Sequence, residues 1–264
     1  ITSAQAGATD LIIGNAIGSN LCNILFILGL MAIIRPVVID DEAKKLHIPI
    51  ALFAAIVILI MELSSLSSSS AFIDRIDGIL LLILFAVYFT YPIFTEIKDI
   101  AKSYKEDKIS GNSKKINVFI SIIFIVIGVV LLKYGGDFVV DNATLIAEHF
   151  NISERVIGLT IVAIGTAMPE LITSIIAVIR KDTDLAVGNL VGSCVLNLFL
   201  ILGVGAVITP LEFSSKFNQN LILLCISTFI LWMFNFIGKK DTITRFKGFV
   251  LLLIFSLYMV GLFV

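Results

Sequence analysis

"TDLIIGNAIGSNLCNILFILG", residues 9–29, returns 174 positions later as "TDLAVGNLVGSCVLNLFLILG", residues 183–203, with eleven of twenty-one positions identical and no gap. The identities include polar positions that apolar bias would not repeat: Asp10 with Asp184, Asn15 with Asn189, Ser19 with Ser193, and Asn23 with Asn197. Each copy is apolar and about 20 residues long, enough to cross the roughly 30 Å hydrocarbon core of a bilayer. A duplicated packing motif, with Gly and Ser three or four residues apart for close helix contact, accounts for Gly188, Gly192 and Ser193. It does not account for an amide kept at 23 and 197.

The rest of the chain has the same character. It is 58% hydrophobic and 15% charged, with a mean hydropathy of +1.07, which is the composition of a polytopic membrane protein. A net charge of −1 leaves no basic surface for nucleic acid. Cys22, Cys194 and Cys225 sit inside apolar runs without CxxC spacing, as packing residues do. The two histidines, His47 and His149, fall near span ends, too few for an imidazole metal site or a buried general base. Apolar runs predict eight spans at approximately 11–34, 46–63, 76–94, 117–136, 156–179, 185–208, 218–237 and 248–264, with a fragment of another before residue 8. Residues 137–155 are expected to prolong the fourth span outward as an amphipathic helix end.

Eight crossings divide the connecting loops into two sets. Fifteen of the nineteen Lys and Arg residues fall in one set, which is therefore cytoplasmic; Arg75, Arg155 and Lys216 fall in the other and Lys133 at a boundary. The two copies of the repeat then lie on spans of opposite direction, so the repeats are inverted. Inverted repeats with interrupted helices near the bilayer midplane are how many secondary transporters build a site that opens to alternate sides. The expected organisation is an N-terminal repeat remainder over 1–94, a Lys/Glu/Asp-rich cytoplasmic linker over 95–116, and a C-terminal repeat over 117–264.

A second stretch, "AIGTAMPELITS" at 163–174, places Pro169 and Glu170 inside a span. Glu170 lies about 21 Å along the helix from its outer end, close to mid-bilayer. An acid there costs on the order of 3 kcal/mol, so its presence argues for function. Pro169 lacks an amide hydrogen and is expected to free the carbonyl of Gly165. Carbonyl, hydroxyl and carboxylate oxygens in one turn suit a hard cation. Asn15, Ser19 and Asn23 share one helix face, as do Asn189, Ser193 and Asn197, and their neutral oxygens suit sodium or calcium better than a transition metal.

"GTAMPE" at 165–170, "GNLVGSCVLN" at 188–197 and "GNAIGSNLCN" at 14–23 resemble the alpha repeats of the sodium/calcium exchangers in the calcium/cation antiporter superfamily. The resemblance covers essentially the whole chain. It implies an all-α polytopic membrane protein with the inverted-repeat antiporter fold, ten spans in the full protein against eight and a fragment here. It implies that the carbonyl of Ala163 with Thr166, Glu170, Ser193 and Asn197 lines the ion sites from one repeat, and Ser19 and Asn23 from the other. It further implies sodium and calcium as transported ions, no cofactor, no obligate protein partner, and a multi-pass place in the lipid bilayer of a prokaryotic cell membrane. Two positions depart from the family pattern. Ala167 stands where a serine is usual, removing a hydroxyl from one sodium site. The counterpart of Glu170 would fall five residues before Ile1, so the natural product is expected to be longer, with a Gly-Thr-x-x-Pro-Glu motif upstream. A single carboxylate leaves a divalent ion half compensated.

The function expected is exchange of sodium for calcium by alternating access. Proton/calcium exchange is the alternative; that branch typically carries a glutamate soon after the Gly-Asn pair, where this chain has Gly18-Ser19 and Gly192-Ser193. Relatives that need potassium carry Asp where Asn197 stands. An intramembrane protease is a different class: "YGGD" at 134–137 superficially resembles the Gly-x-Gly-Asp of membrane aspartyl proteases, but Tyr134 replaces the first glycine and no second intramembrane Asp completes a dyad. A serine route lacks a midspan histidine. No enzymatic activity is expected.

Overall fold

The structure, a computed structural model, describes residues 9–65, 72–90, 154–213, 217–238 and 240–263, with individual helical positions between 120 and 145. The expected linker at 95–116, the fragment before residue 8 and most of 137–155 lie outside the described residues. Among the described residues the longer helices are α1 (Thr9–Ile34), α2 (Ala43–Leu63), α3 (75–90), α4 (Gly158–Thr166, continuing from a turn at Glu154–Ile157), α5 (Met168–Ile179), α6 (Thr183–Ile208), α7 (Asn218–Met233) and α8 (Arg245–Phe263). Among the described residues, α1, α2, α6 and α8 are each long and apolar enough to cross a membrane. The bent pair α4 and α5 makes one more candidate span, and α7 is a shorter apolar helix.

The 174-residue offset reappears in the backbone. A π-helical turn interrupts α1 at Cys22–Ile27 and another interrupts α6 at Leu196–Ile201. Such turns shift the side chains that follow and are frequent at functional sites. Two short strands hold the offset as well. β1 (Val37–Val38) and β3 (Leu211–Glu212) follow α1 and α6. β1 pairs antiparallel with β4 (Thr242–Ile243), Val37 opposite Ile243, and β3 with β2 (Phe72–Ile73), Leu211 opposite Ile73.

Small residues repeat the pattern in packing. A Cβ on Gly248 would lie 2.7 Å from Ala32 Cβ and 2.8 Å from the carbonyl oxygen of Gly29; one on Gly78 would lie 2.9 Å from both Ala206 Cβ and the Gly203 oxygen. Backbones this close need glycine. So α8 packs on the second half of α1, and α3 on the second half of α6. Each of these contacts joins helices far apart in the sequence. α1 is the central element, with 78% of its apolar window buried, against 22% for α8 at the periphery. Ile13, Ile17, Leu21, Leu25 and Leu28 of α1 form the middle of the core.

Candidate ion site

Pro169 breaks its span as the sequence predicts. α4 and α5 meet at a 50° bend, with Ala167 between them at φ −86°, ψ −1° and Pro169 in the first turn of α5. Ala167 N–H donates to the Ala163 carbonyl at 3.0 Å, closing the last turn of α4.

Glycine contacts bring the bend to α1. Gly158 lies against Gly14 and the Leu11 carbonyl, and a Cβ on Gly18 would lie 2.7 Å from both Ala163 Cβ and the Leu159 oxygen. At that separation Ser19 Oγ reaches Ala163 O at 3.3 Å and Thr166 Oγ1 at 2.9 Å. Thr166 Oγ1 also lies 3.2 Å from Ala163 O and donates to Asn15 Oδ1 at 2.8 Å. Asn15, Ser19, Ala163 and Thr166 thus form one oxygen cluster across α1 and α4.

Glu170 turns to α6. Ser193 donates to Glu170 Oε1 at 3.0 Å, while Glu170 Oε2 is buried with no hydrogen-bond partner among the described residues. The geometry of the α5–α6 connection supports this. Lys181 adopts φ 71° and Asp182 caps α6, its Oδ1 accepting from Leu185 N at 3.1 Å, which reverses the chain within a few residues. The two sides of the bend therefore serve two helices, Thr166 reaching α1 and Glu170 reaching α6.

A third set lies where α1 and α6 cross. Asn197 Nδ2 donates to Asn20 Oδ1 at 3.0 Å, Asn20 Nδ2 donates to the Cys194 carbonyl at 3.1 Å, and Asn23 Nδ2 points at Cys194 Sγ at 4.0 Å. Asn23 Oδ1 is buried with no partner among the described residues. Of the residues picked out from sequence, Ser19, Ala163 and Thr166 share the first cluster, Glu170 and Ser193 the second, and Asn23 and Asn197 the third. Asn189 stands apart, paired with Ser174 at 3.2 Å. Asn20, fully buried, was not among them; it does not repeat, since its counterpart is Cys194.

An unpaired buried oxygen costs about 1–3 kcal/mol. Two of them, Glu170 Oε2 and Asn23 Oδ1, flank hydroxyls and amides that can also face a cation. Among the described residues, no three His, Cys, Asp or Glu side chains converge, so the set is one of oxygens with little charge, which fits an alkali or alkaline-earth ion and not a transition metal.

This is the fold and the polar interior of a helical membrane transporter. The profile of the sodium/calcium exchanger protein family matches residues 1–94 and 120–264, and the chain belongs to that family. It is 31% identical over 276 residues to a putative antiporter, CaxA, of Alkalimonas amylolytica, covering 99% of this chain and 81% of that one. A sodium/calcium exchanger of Methanosarcina acetivorans, MaX1, is 42% identical over 95 residues, 36% of this chain and 27% of the relative. The structure of the sodium-calcium exchanger NCX_Mj soaked with sodium and calcium superposes with a TM-score of 0.70 at 30% identity, over 98% of this chain and 79% of that one. The chain is thus a multi-pass membrane protein of a cation-antiporter family.

Proposed function

We propose that the protein exchanges sodium for calcium across the membrane by alternating access, with the ions held where α1, α4, α5 and α6 meet. The observation that carries this reading is the pair of buried, unpartnered oxygens, Glu170 Oε2 and Asn23 Oδ1, within a set otherwise made of Ser19, the Ala163 carbonyl, Thr166, Ser193 and Asn197. Glu170 supplies charge, and the neutral oxygens replace water around the ion. The sodium-calcium exchanger likeness of NCX_Mj and MaX1 supports sodium as the coupling ion.

The architecture proposed with it is a ten-span antiporter in which 1–94 and 117–264 are inverted repeats joined by the 95–116 loop. The 50° break at Ala167 and the π-helical turns beginning beside Asn23 and Asn197 are where helix segments can tilt without breaking a regular ladder. Tilting on either side of the site exposes it to one face at a time. Proton-coupled calcium exchange is the competing reading. Calcium uptake into vesicles of the complete gene product, compared under an imposed sodium gradient and an imposed proton gradient, separates the two. Uptake that follows sodium alone is the expected result; uptake that follows the proton gradient replaces the proposal.

A further inference from the structure

The two copies of the repeat differ at one polar position in the crossing of α1 and α6. Position 20 is Asn in the first copy and its counterpart 194 is Cys in the second; Asn20 is fully buried and Cys194 is 1% exposed. The counterparts meet each other, Asn20 Nδ2 donating to the Cys194 carbonyl at 3.1 Å. Each also faces the repeated asparagine of the opposite copy. Asn197 Nδ2 donates to Asn20 Oδ1 at 3.0 Å, whereas Asn23 Nδ2 stands 4.0 Å from Cys194 Sγ.

Chemistry fixes the first of these arrangements. A backbone carbonyl only accepts, so Asn20 must turn its NH2 group to Cys194 and its oxygen to Asn197. Asn197 must then donate, and its own Oδ1 is sent to the opposite side of the amide. Nothing comparable fixes Asn23. A thiol is a weak donor and a weak acceptor, so it holds either end of an amide about equally poorly, and Asn23 Oδ1 is left buried and unpartnered.

We propose that Asn20 and Cys194 are positioning residues that make the two repeated asparagines unequal ligands. Asn197 keeps its oxygen permanently presented. Asn23 is free to turn its amide over, offering oxygen to a bound cation and NH2 to the oxygen-lined space when the cation has left. Emptying a cluster of oxygens leaves their partial charges facing one another, and a reversible amide relieves that repulsion where a fixed one cannot. The inference rests on the cation-exchange reading above.

The test exchanges the two clamps. Asn20→Cys gives Asn197 the weak partner that Asn23 has, and Cys194→Asn gives Asn23 an amide partner while leaving the 194 carbonyl for Asn20. The readouts are KM and Vmax for sodium-dependent calcium uptake, and the rise in Tm that sodium or calcium produces in the purified protein, which reports binding without transport. Asn20→Cys is expected to raise the calcium KM about tenfold with Vmax little changed, and to shrink the cation-induced rise in Tm. Cys194→Asn is expected to lower the KM. In an Asn197→Ala background, Asn20→Cys is expected to add nothing, because its effect runs through Asn197. A responsive wild type with an unchanged KM in Asn20→Cys, or an undiminished effect of Asn20→Cys in the Asn197→Ala background, overturns the inference alone. A wild type that responds to neither cation in either assay removes the exchange reading and this inference with it.

Discussion

Gly18→Ala tests whether close approach of α1 and α4 builds the oxygen cluster. The added Cβ would lie 2.7 Å from Ala163 Cβ and the Leu159 oxygen and 2.8 Å from Leu159 Cα. Ordinary contact begins at 3.4 Å, and two of the three obstructing atoms are backbone, so the helices must part by about 0.7 Å. That lengthens the 3.3 Å contact between Ser19 Oγ and Ala163 O to about 4 Å, beyond hydrogen-bond range. Overpacking costs about 1–3 kcal/mol, and the lost hydrogen bond adds about 1 kcal/mol. At this chain length the sum corresponds to a fall in Tm of roughly 5–15 °C. Gly261→Ala is the control, since nothing lies within 4 Å of its added Cβ. Thermal unfolding of the detergent-purified proteins measures the difference, and calcium uptake reports whether the site opens with it. A Gly18→Ala protein with the melting temperature and calcium KM of the Gly261→Ala control would show that close approach of α1 and α4 does not build the cluster.

Other outcomes follow from single contacts. Thr166→Val keeps the side-chain shape but removes the hydroxyl joining Asn15, Ser19 and Ala163; an ion KM raised about tenfold is expected, read by uptake at varied calcium. Asp182→Ala removes the cap of α6 at Leu185 N and is expected to lower stability by about 1 kcal/mol, with Asp182→Asn or Asp182→Ser restoring most of it in thermal melts. Glu62, 1% exposed, has no hydrogen-bond partner within 3.5 Å for either carboxylate oxygen among the described residues; Glu62→Gln removes the charge of a buried acid and is expected to raise Tm, whereas a lower Tm would show that the carboxylate is compensated by a neighbour such as the Asn218 side chain.

The repeat at 9–29 and 183–203 carries most of the fold in one-dimensional form. Its polar identities made Ser19, Asn23, Ser193 and Asn197 legible, and each meets a partner on another helix: Ser19 on α4, Ser193 on α5, and Asn23 and Asn197 across the crossing of α1 and α6. Pro169 was legible as a bend because a missing amide hydrogen has one local consequence. The π-helical turns at 22–27 and 196–201 leave no mark in apolar spacing. Asn20 escaped for the reason that the others were found: reading by repetition discards a residue whose counterpart is a cysteine, and its importance lies in contacts to Cys194 and Asn197 more than 170 positions away.

The central claim is coupled exchange at a site that needs the Glu170 carboxylate. Sodium efflux and calcium entry measured together in the same vesicles, for the wild type and Glu170→Gln, address it directly. The account predicts that calcium enters only as sodium leaves, and that both fluxes disappear together in Glu170→Gln. Calcium entry without sodium counterflow, or full exchange by Glu170→Gln, would contradict it.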